Sequence, residues 1–314
     1  MEKESNWISY SCGICGATSD SRTGLNLRCS VCKSSKEKPV DSIMYPEGFL
    51  QDKIPFNVLE ILKDNAYFNR LYEETNKRIV GESPVKKSLV LTILGGRLVI
   101  NSSPTSYNTL VQDKSGKGKD WVTSNVLALL PKLIVEKKSR ISERAISYWH
   151  TSEKEPFFTW SGRVIYLEDI SYQILNSECV KNITSGDVNS SIVVDGRLKD
   201  MSLNGNPIFV CTGAFVDLNN EASRRFGILN LSEDVNQTKR VMEMQAKFAK
   251  EGLPLYDVNL INSAYALKRV KVYVPFASEL AQVFPDNHIL ARTGFGRFLD
   301  FIKASAALHQ YSEK

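Results

Sequence analysis

The residues of this chain with the clearest chemical potential form a loop rich in lysine and glycine. From Gln112 to Asp120 the sequence reads Gln-Asp-Lys-Ser-Gly-Lys-Gly-Lys-Asp. It fits the phosphate-loop pattern G-x-x-x-x-G-K-[ST] incompletely, because Asp113 stands at the first glycine and Asp120 at the hydroxyl position. In such a loop backbone amides surround a nucleotide's phosphates and the lysine reaches the β- and γ-phosphates. The loop therefore predicts a nucleotide site.

The nucleotide contacts predicted from this loop are Ser115, Gly116, Lys117, Gly118, Lys119 and Asp120. Lys119 is expected to bind phosphate. A carboxylate at Asp120 can hold Mg²⁺, directly or through water, although it adds negative charge beside the phosphates. The alternative is a surface loop without a ligand, and the loop by itself does not decide between the two.

A second acidic group follows an apolar run that predicts a strand. The segment from Gly162 to Asp169 is apolar until it ends in Glu168 and Asp169, and it resembles a Walker B strand. Acids at the carboxyl end of a strand can hold Mg²⁺ through water and orient the water that attacks the γ-phosphate. A buried strand that ends in acids is common, but the upstream phosphate loop favours this functional interpretation.

Four cysteines near the start of the chain have the spacing of a structural zinc site. They are Cys12, Cys15, Cys29 and Cys32, in two Cys-x-x-Cys pairs that are thirteen residues apart. Two such turns brought together by a hairpin make a tetrahedral thiolate site, and Zn²⁺ can fold a segment too short for its own core. Disulfide pairing is the alternative, which a cytosolic chain disfavours. The pattern predicts a zinc ribbon.

Regular elements between these motifs are predicted from periodicity and helix-end signals. Ser83 is expected to be the N-cap of a helix, Pro84 its first helical residue and Gly95 its stop. An Asp-Gly turn predicts a hairpin around Asp195, and a buried strand is expected to end at Thr212. The alternation of strands and helices indicates an α/β domain followed by helices.

Composition limits the class of protein. The chain has 314 residues, 42% of them apolar, with 40 Lys+Arg against 35 Asp+Glu, so it can bury a sizeable core and needs no acidic partner. The first thirty residues lack the apolar run of a signal peptide, and the apolar runs are too short to span a membrane. We expect a cytoplasmic protein that makes no membrane contact.

The order of the motifs resembles the AAA+ ATPases and, within them, the minichromosome-maintenance (MCM) type of replicative helicase, in a reduced form like that of mobile elements or viruses. Three segments carry the narrower resemblance, namely the helix of residues 81–96, the Ser-Arg-Arg-Phe of residues 223–226, and the segment from Arg292 through the last helix. The resemblance covers roughly residues 80–309. It implies an AAA+ P-loop core with a C-terminal helical lid and a small N-terminal zinc ribbon.

Site roles follow from the resemblance position by position. Glu168 and Asp169 are expected to serve metal and water, and Thr212 to stand at sensor 1, where the family usually has Asn. Arg225, with Arg224 as the alternative, is expected to act on a neighbouring subunit's γ-phosphate. Arg292 is expected to contact the γ-phosphate as sensor 2.

The implied domains are a zinc ribbon (1–45), a helical linker (46–78), the α/β ATPase core (79–235) and the helical lid (236–314). The implied function is a ring-forming, hexameric ATPase that uses ATP, Mg²⁺ and Zn²⁺ and couples hydrolysis to translocation or unwinding of single-stranded or forked DNA during replication. A nucleotide-binding, weakly active or inactive DNA-binding scaffold or helicase loader is the alternative. A remodeller of protein partners is a third and weaker one.

Overall fold

The computed structural model describes residues 8–12, 18–21, 44–46, 56–114, 116–130, 134–139, 141–142, 160–186, 189–194, 196–202, 205–214, 223–232, 234–288 and 290–312. Within these ranges no helix combines the length and the apolar character that a membrane crossing requires.

Strands and helices are numbered in chain order. The strands of the described chain are β1 (Ile8–Cys12), β2 (Thr18–Ser21), β3 (Met44–Pro46), β4 (Thr109–Gln112), β5 (Val135–Lys138), β6 (Val164–Leu167), β7 (Asn189–Val194), β8 (Arg197–Ser202), β9 (Ile208–Gly213) and β10 (Gly227–Asn230). The helices there are α1 (Phe56–Lys63), α2 (Tyr67–Thr75), α3 (Ser83–Leu98), α4 (Lys119–Leu127), α5 (Tyr172–Leu175), α6 (Glu178–Ser185), α7 (Val235–Glu251), α8 (Val258–Ala266), α9 (Ala277–Val283) and α10 (Ala291–Leu308).

The centre of the fold is a five-stranded sheet in the order β10-β4-β9-β6-β5, and each neighbouring pair is parallel. The predicted α/β class is confirmed. Because the strands are parallel, their carboxyl ends share one edge of the sheet, here called the carboxyl edge, and their starts share the opposite amino edge. β9 is inserted between β4 and β6, so the end of β9 separates the phosphate loop from the acidic strand.

Alternating residues of these strands face two different apolar layers. On one face Val111, Tyr166 and Val210 belong to a core shared with the helices α1 to α4, α8 and α10. On the other face Leu110 and Leu167 pack with residues of α5 and α6. Burial on both faces explains why the inner strands β6 and β9 are almost continuously apolar, whereas the edge strand β5 is charged and only partly buried.

Helix α3 differs from its prediction at both ends. It begins at Ser83, one residue before the predicted first helical residue Pro84, with Glu82 at the N-cap position expected for Ser83, and it continues through Gly95 to Leu98. A Cβ at Gly95 would lie 2.5 Å from Tyr107 and 2.6 Å from Ala304 of α10. Gly95 therefore permits close packing inside the helix, and it is not the terminating residue that its type suggested.

Two antiparallel structures lie outside the central sheet. β1, β2 and β3 form a sheet in the order β2-β1-β3 near the start of the chain. β7 and β8 form the hairpin predicted around Asp195, with Val194 opposite Arg197 and Ile192 opposite Lys199. The hairpin is inserted between α6 and β9.

The carboxyl-terminal helices pack beside the sheet. α10 lies along α3, and its Asp300 carboxylate accepts hydrogen bonds from the Ser103 amide at 3.0 Å and the Ser106 hydroxyl at 2.5 Å. Both serines lie in the segment that precedes β4, so α10 contacts the amino edge of the sheet. The helical lid remains a prediction, as do the three boundaries between the four predicted domains.

Candidate functional site

The phosphate loop connects β4 to α4 at the carboxyl edge. Gly116 and Gly118 have φ values of 86° and 85°, in the left-handed region that favours glycine. A Cβ built at either glycine has no described atom within 4 Å. The described part of the loop therefore leaves room for a ligand beside both glycines, at the start of a helix, where backbone amides favour an anion. Ser115 lies outside the described residues.

Lys119 is the first residue of α4, and its side chain is only 7% exposed. Its Nζ lies 3.8 Å from Oδ1 of Asp169, whose side chain is 73% exposed. This distance is at the outer limit of an ion pair, so the ammonium is only weakly neutralised by that carboxylate. The arrangement suits an anion that could approach both the loop and Lys119 from solvent.

Thr212 connects the phosphate loop with the acidic strand. Its buried hydroxyl donates a hydrogen bond to Oδ1 of Asp120 and accepts one from the Asp169 amide at 3.0 Å. Its carbonyl accepts a further bond from the Ile170 amide at 2.7 Å. One side chain of β9 thus fixes both the metal-binding candidate in α4 and the turn that follows β6.

Tyr166 of β6 lies beside this group and is 1% exposed. Burial raises the pKa of the Tyr166 phenol; the Thr212 hydroxyl lowers it, and the carboxylates of Asp120 and Glu168 raise it further. The phenol therefore stays protonated beside Asp120, although it makes no well-aligned hydrogen bond to the described residues. The sequence analysis missed Tyr166, because an aromatic residue in an apolar strand has no distinguishing signal.

The two neighbouring acids point in different directions. Asp169 has a φ of 48°, unusual for a residue with a side chain, and it faces Lys119. Glu168 instead turns toward β5, where Oε1 lies 2.9 Å from Nζ of Lys137 and Oε2 accepts a hydrogen bond from Ser139 at 3.2 Å. The structure brings one of the two predicted acids to the phosphate-loop lysine.

The arginine pair lies at the opposite edge of the sheet. Arg224 and Arg225 are separated by Phe226 from β10, which begins at the amino edge. The Arg225 Nε donates to the Ser185 hydroxyl at 3.1 Å, and Arg225 is partly buried, whereas Arg224 is exposed. Neither arginine is brought to Lys119 of the same chain.

Arg292 lies in the first turn of α10 and is exposed. Further along the helix, Arg297 donates to the carbonyls of Phe226 at 3.3 Å and Arg224 at 3.2 Å. These contacts attach α10 to the amino edge. The structure therefore does not bring Arg292 to the phosphate loop of its own chain.

The predicted zinc ligands cannot be placed. Cys15, Cys29 and Cys32 lie outside the described residues, and only the backbone of Cys12 is described, at the end of β1. In the part of the chain that is described, no group of three or more His, Cys, Asp or Glu side chains is placed to hold a metal ion. The zinc ribbon stays a prediction.

Two buried carboxylates near the loop were not predicted as functional residues. Asp113 is 1% exposed and Glu82 is 8% exposed, and both accept hydrogen bonds from the segment after β10. An aspartate at the usual position of a glycine was a visible signal for Asp113. No signal in the sequence marked Glu82 as functional, because it was expected only to precede a helix.

One family model matches the chain. The family is described as the MTBMA_p00010 P-loop domain, and the match covers residues 55–269. This range contains the whole parallel sheet, the phosphate loop and the acidic strand. No curated protein matches the chain by sequence.

Proposed function

Because the chain belongs to the MTBMA_p00010 P-loop domain family, whose domain type suggests nucleotide binding and hydrolysis, we propose that it is an ATPase that assembles into a ring and moves DNA. One observation carries the catalytic part of the proposal. The Thr212 hydroxyl joins Asp120 to the backbone of Asp169, whose carboxylate faces Lys119. A phosphate-binding lysine, a metal-binding candidate and an exposed acid are thus held together at the carboxyl edge.

Each residue has a separate task in this proposal. Lys119 binds the terminal phosphates. Asp120, oriented by Thr212, is the chain's candidate ligand for Mg²⁺, which when bound neutralises phosphate charge. Asp169 is the candidate to orient the attacking water, because its carboxylate is exposed and faces the loop.

The arginines support assembly in this proposal. Stabilisation of charge on the γ-phosphate by an arginine strongly accelerates hydrolysis. Arg224 and Arg225 lie at the amino edge, so their proposed target is the nucleotide of a neighbouring copy. Arg225 is held by Ser185 and is the first candidate.

DNA translocation is the finer part of the proposal, and it depends on the hairpin. Arg197 and Lys199 are two residues apart in β8, opposite Val194 and Ile192. Basic residues on such a hairpin suit contacts with a phosphodiester backbone. Hexamer formation, helicase activity and a role in replication belong to the same proposal, which rests there on the family resemblance.

The experiment measures ATP turnover and molecular mass with and without single-stranded DNA. We expect DNA to increase turnover severalfold, and the Arg197→Ala/Lys199→Ala variant to lose this stimulation while its DNA-free turnover stays within about twofold. Salt is also expected to lower the DNA-stimulated rate more steeply than the DNA-free rate. A turnover rate that DNA does not change, together with the mass of a monomer, would contradict the proposed translocase.

A nucleotide-binding scaffold or helicase loader is the second candidate. It is favoured by Glu168, which is paired with Lys137 and Ser139 and so does not reach the loop. Separate measurements of ATP binding and of phosphate release distinguish the candidates. Binding without release supports the scaffold, and release at a rate above that of the Lys119→Ala variant supports the ATPase.

A further inference from the structure

The phosphate loop contains a buried carboxylate at a position where its motif has glycine. Asp113 is 1% exposed. Its Oδ1 accepts a hydrogen bond from the Lys114 amide at 2.6 Å, and its Oδ2 accepts one from the Leu231 amide at 3.2 Å. Its own amide donates to the Gly213 carbonyl at 3.3 Å. Asp113 therefore ties the loop to the ends of both neighbouring strands, β9 and β10.

A buried carboxylate needs a positive partner, because removal of an unpaired charge from water is costly. That partner is Lys117, whose Nζ lies 2.9 Å from Oδ1 of Asp113. The Lys117 side chain is 25% exposed, so the ion pair is partly shielded from solvent. Lys117 is thus paired within the loop, whereas the Lys119 ammonium faces Asp169.

A second carboxylate reinforces the same attachment. Both oxygens of Glu82 accept from the Ser232 amide, at 3.2 and 3.0 Å. Two consecutive amides after β10 are therefore held by two carboxylates, one from the phosphate loop and one from the residue before α3. Burial raises the pKa of Glu82, and the Ser232 amide lowers it. The nearby Asp113 carboxylate raises it further, and the cations Lys86 and Lys117 lower it.

We propose that Asp113 is a positioning residue for nucleotide binding and that Lys117 is its counter-ion, not a phosphate ligand. This inference rests on the proposed nucleotide site. In this arrangement Asp113 fixes the loop backbone so that its amides are already oriented before phosphate arrives, and Lys117 cancels a charge that would otherwise repel the phosphates. Lys119 is then the loop lysine whose ammonium binds the nucleotide.

The test compares one substitution in two backgrounds. Lys117→Met is made in the natural chain and in the Asp113→Asn chain, and the dissociation constant of Mg²⁺–ATP is measured by calorimetry. In the natural background the substitution leaves Asp113 charged and unpaired, so binding is expected to weaken about tenfold or more. In the Asp113→Asn background no charge remains to be neutralised, and the change is expected to stay below about threefold.

A role for Lys117 as a phosphate ligand would give a different result. A phosphate ligand would be lost equally in both backgrounds, so equal weakening by Lys117→Met overturns the inference. Lys114→Met is the matched control, because the Lys114 side chain is exposed on the same loop, and it is expected to change binding less than about threefold in either background.

Thermal unfolding of the same four chains without nucleotide separates this inference from the proposed function. Lys117→Met is expected to lower the Tm by about 5 °C or more in the natural chain and by less in the Asp113→Asn chain. Equal shifts would contradict the pairing. A natural chain that binds no ATP would overturn the proposed function, while the unfolding measurements would still decide whether Lys117 neutralises Asp113.

Discussion

The two edges of the parallel sheet differ in what they hold. At the carboxyl edge, Thr212 links Asp120 to Asp169, and Asp169 faces Lys119. At the amino edge, the arginine pair precedes β10 and is attached to α10 through Arg297. Four residues of β10 separate these regions, which corresponds to about 13 Å of extended chain.

This separation indicates how the proposed reaction divides its residues. Phosphate binding, metal binding and water orientation can all be assigned to the carboxyl edge of one chain. Transition-state stabilisation by arginine cannot be assigned there, because Arg224 and Arg225 start at the other edge. The comparison therefore predicts that a single chain binds nucleotide but needs a second copy for rapid hydrolysis.

The largest effect is expected at the amino edge. Arg225→Ala should reduce ATP turnover by about 10³-fold with little change in ATP affinity, because an arginine of this kind acts on charge that develops in the transition state. Turnover is measured as steady-state phosphate release, and affinity is measured by equilibrium binding of ATP. Arg224→Ala is expected to lose less than about tenfold, and the reverse order would assign the role to Arg224.

Mixing two inactive variants tests whether the arginine acts between copies. Arg225→Ala keeps Lys119, and Lys119→Ala keeps Arg225, so mixed assemblies contain some complete interfaces. Partial recovery of turnover is expected on mixing. A chain with both substitutions is the control, since its mixture with either single variant should stay inactive. If the two single variants assemble well but their mixture has no turnover, the arginine does not act between copies.

The next effect compares the neighbouring acids at the carboxyl edge. Asp169→Asn is expected to lower kcat about 100-fold, because its carboxylate is exposed and faces Lys119. Glu168→Gln should lower kcat less than about fivefold, since Glu168 is paired with Lys137. A larger loss for Glu168→Gln would mean that Glu168 leaves Lys137 when nucleotide binds.

A smaller effect is expected for the hydroxyl that joins loop and strand. Thr212→Val preserves shape but removes the hydrogen bonds to Asp120 and from Asp169, so the Mg²⁺ concentration for half-maximal turnover should rise about tenfold. Thr109→Val is the control, because Thr109 donates to Thr92 in the same buried layer. An unchanged Mg²⁺ requirement in Thr212→Val would show that Thr212 does not position the metal-binding residue.

The smallest effect concerns stability. Burial lowers the pKa of Lys86 to about 8, which nearby Glu82 partly opposes. The unfolded chain keeps the ordinary lysine value near 10.4, so between about pH 8 and pH 10 the unfolded state holds more protons and this group makes folding more favourable as pH rises. Lys86→Met should remove about 1–2 kcal/mol of this increase between pH 7 and pH 9.5.

Urea unfolding at the two pH values provides this measurement. Lys87→Met is the matched control, because Lys87 is the exposed neighbour of Lys86 in α3, and it should keep the pH dependence of the natural chain. The same dependence in Lys86→Met would show that Lys86 is not its source.

The sequence predicted the parts of the fold that depend on local pattern. The acidic strand, the Asp-Gly hairpin and the start of α3 to within one residue were all visible in the order of apolar and helix-starting residues. Gly95 was misinterpreted because its requirement comes from the close approach of Tyr107 and of Ala304 in α10, and the pattern of the helix itself contains neither contact.

The site was predictable as a set of residues but not as a geometry. Spacing identified Lys119, Asp169 and Thr212 as candidates. It could not show that Glu168 turns toward β5, because adjacent acids at a strand end have the same sequence signal whichever way they point. Nor could it show that Asp113 is paired with Lys117, since that depends on the burial of the loop.

ATP binding and turnover of Lys119→Ala, compared with Lys114→Ala, test the central claim most directly. The account predicts that Lys119→Ala weakens Mg²⁺–ATP binding about 100-fold and reduces phosphate release to background, while Lys114→Ala stays within about threefold of the natural chain for both. Binding and turnover that survive in a folded Lys119→Ala chain would contradict a nucleotide site at the carboxyl edge.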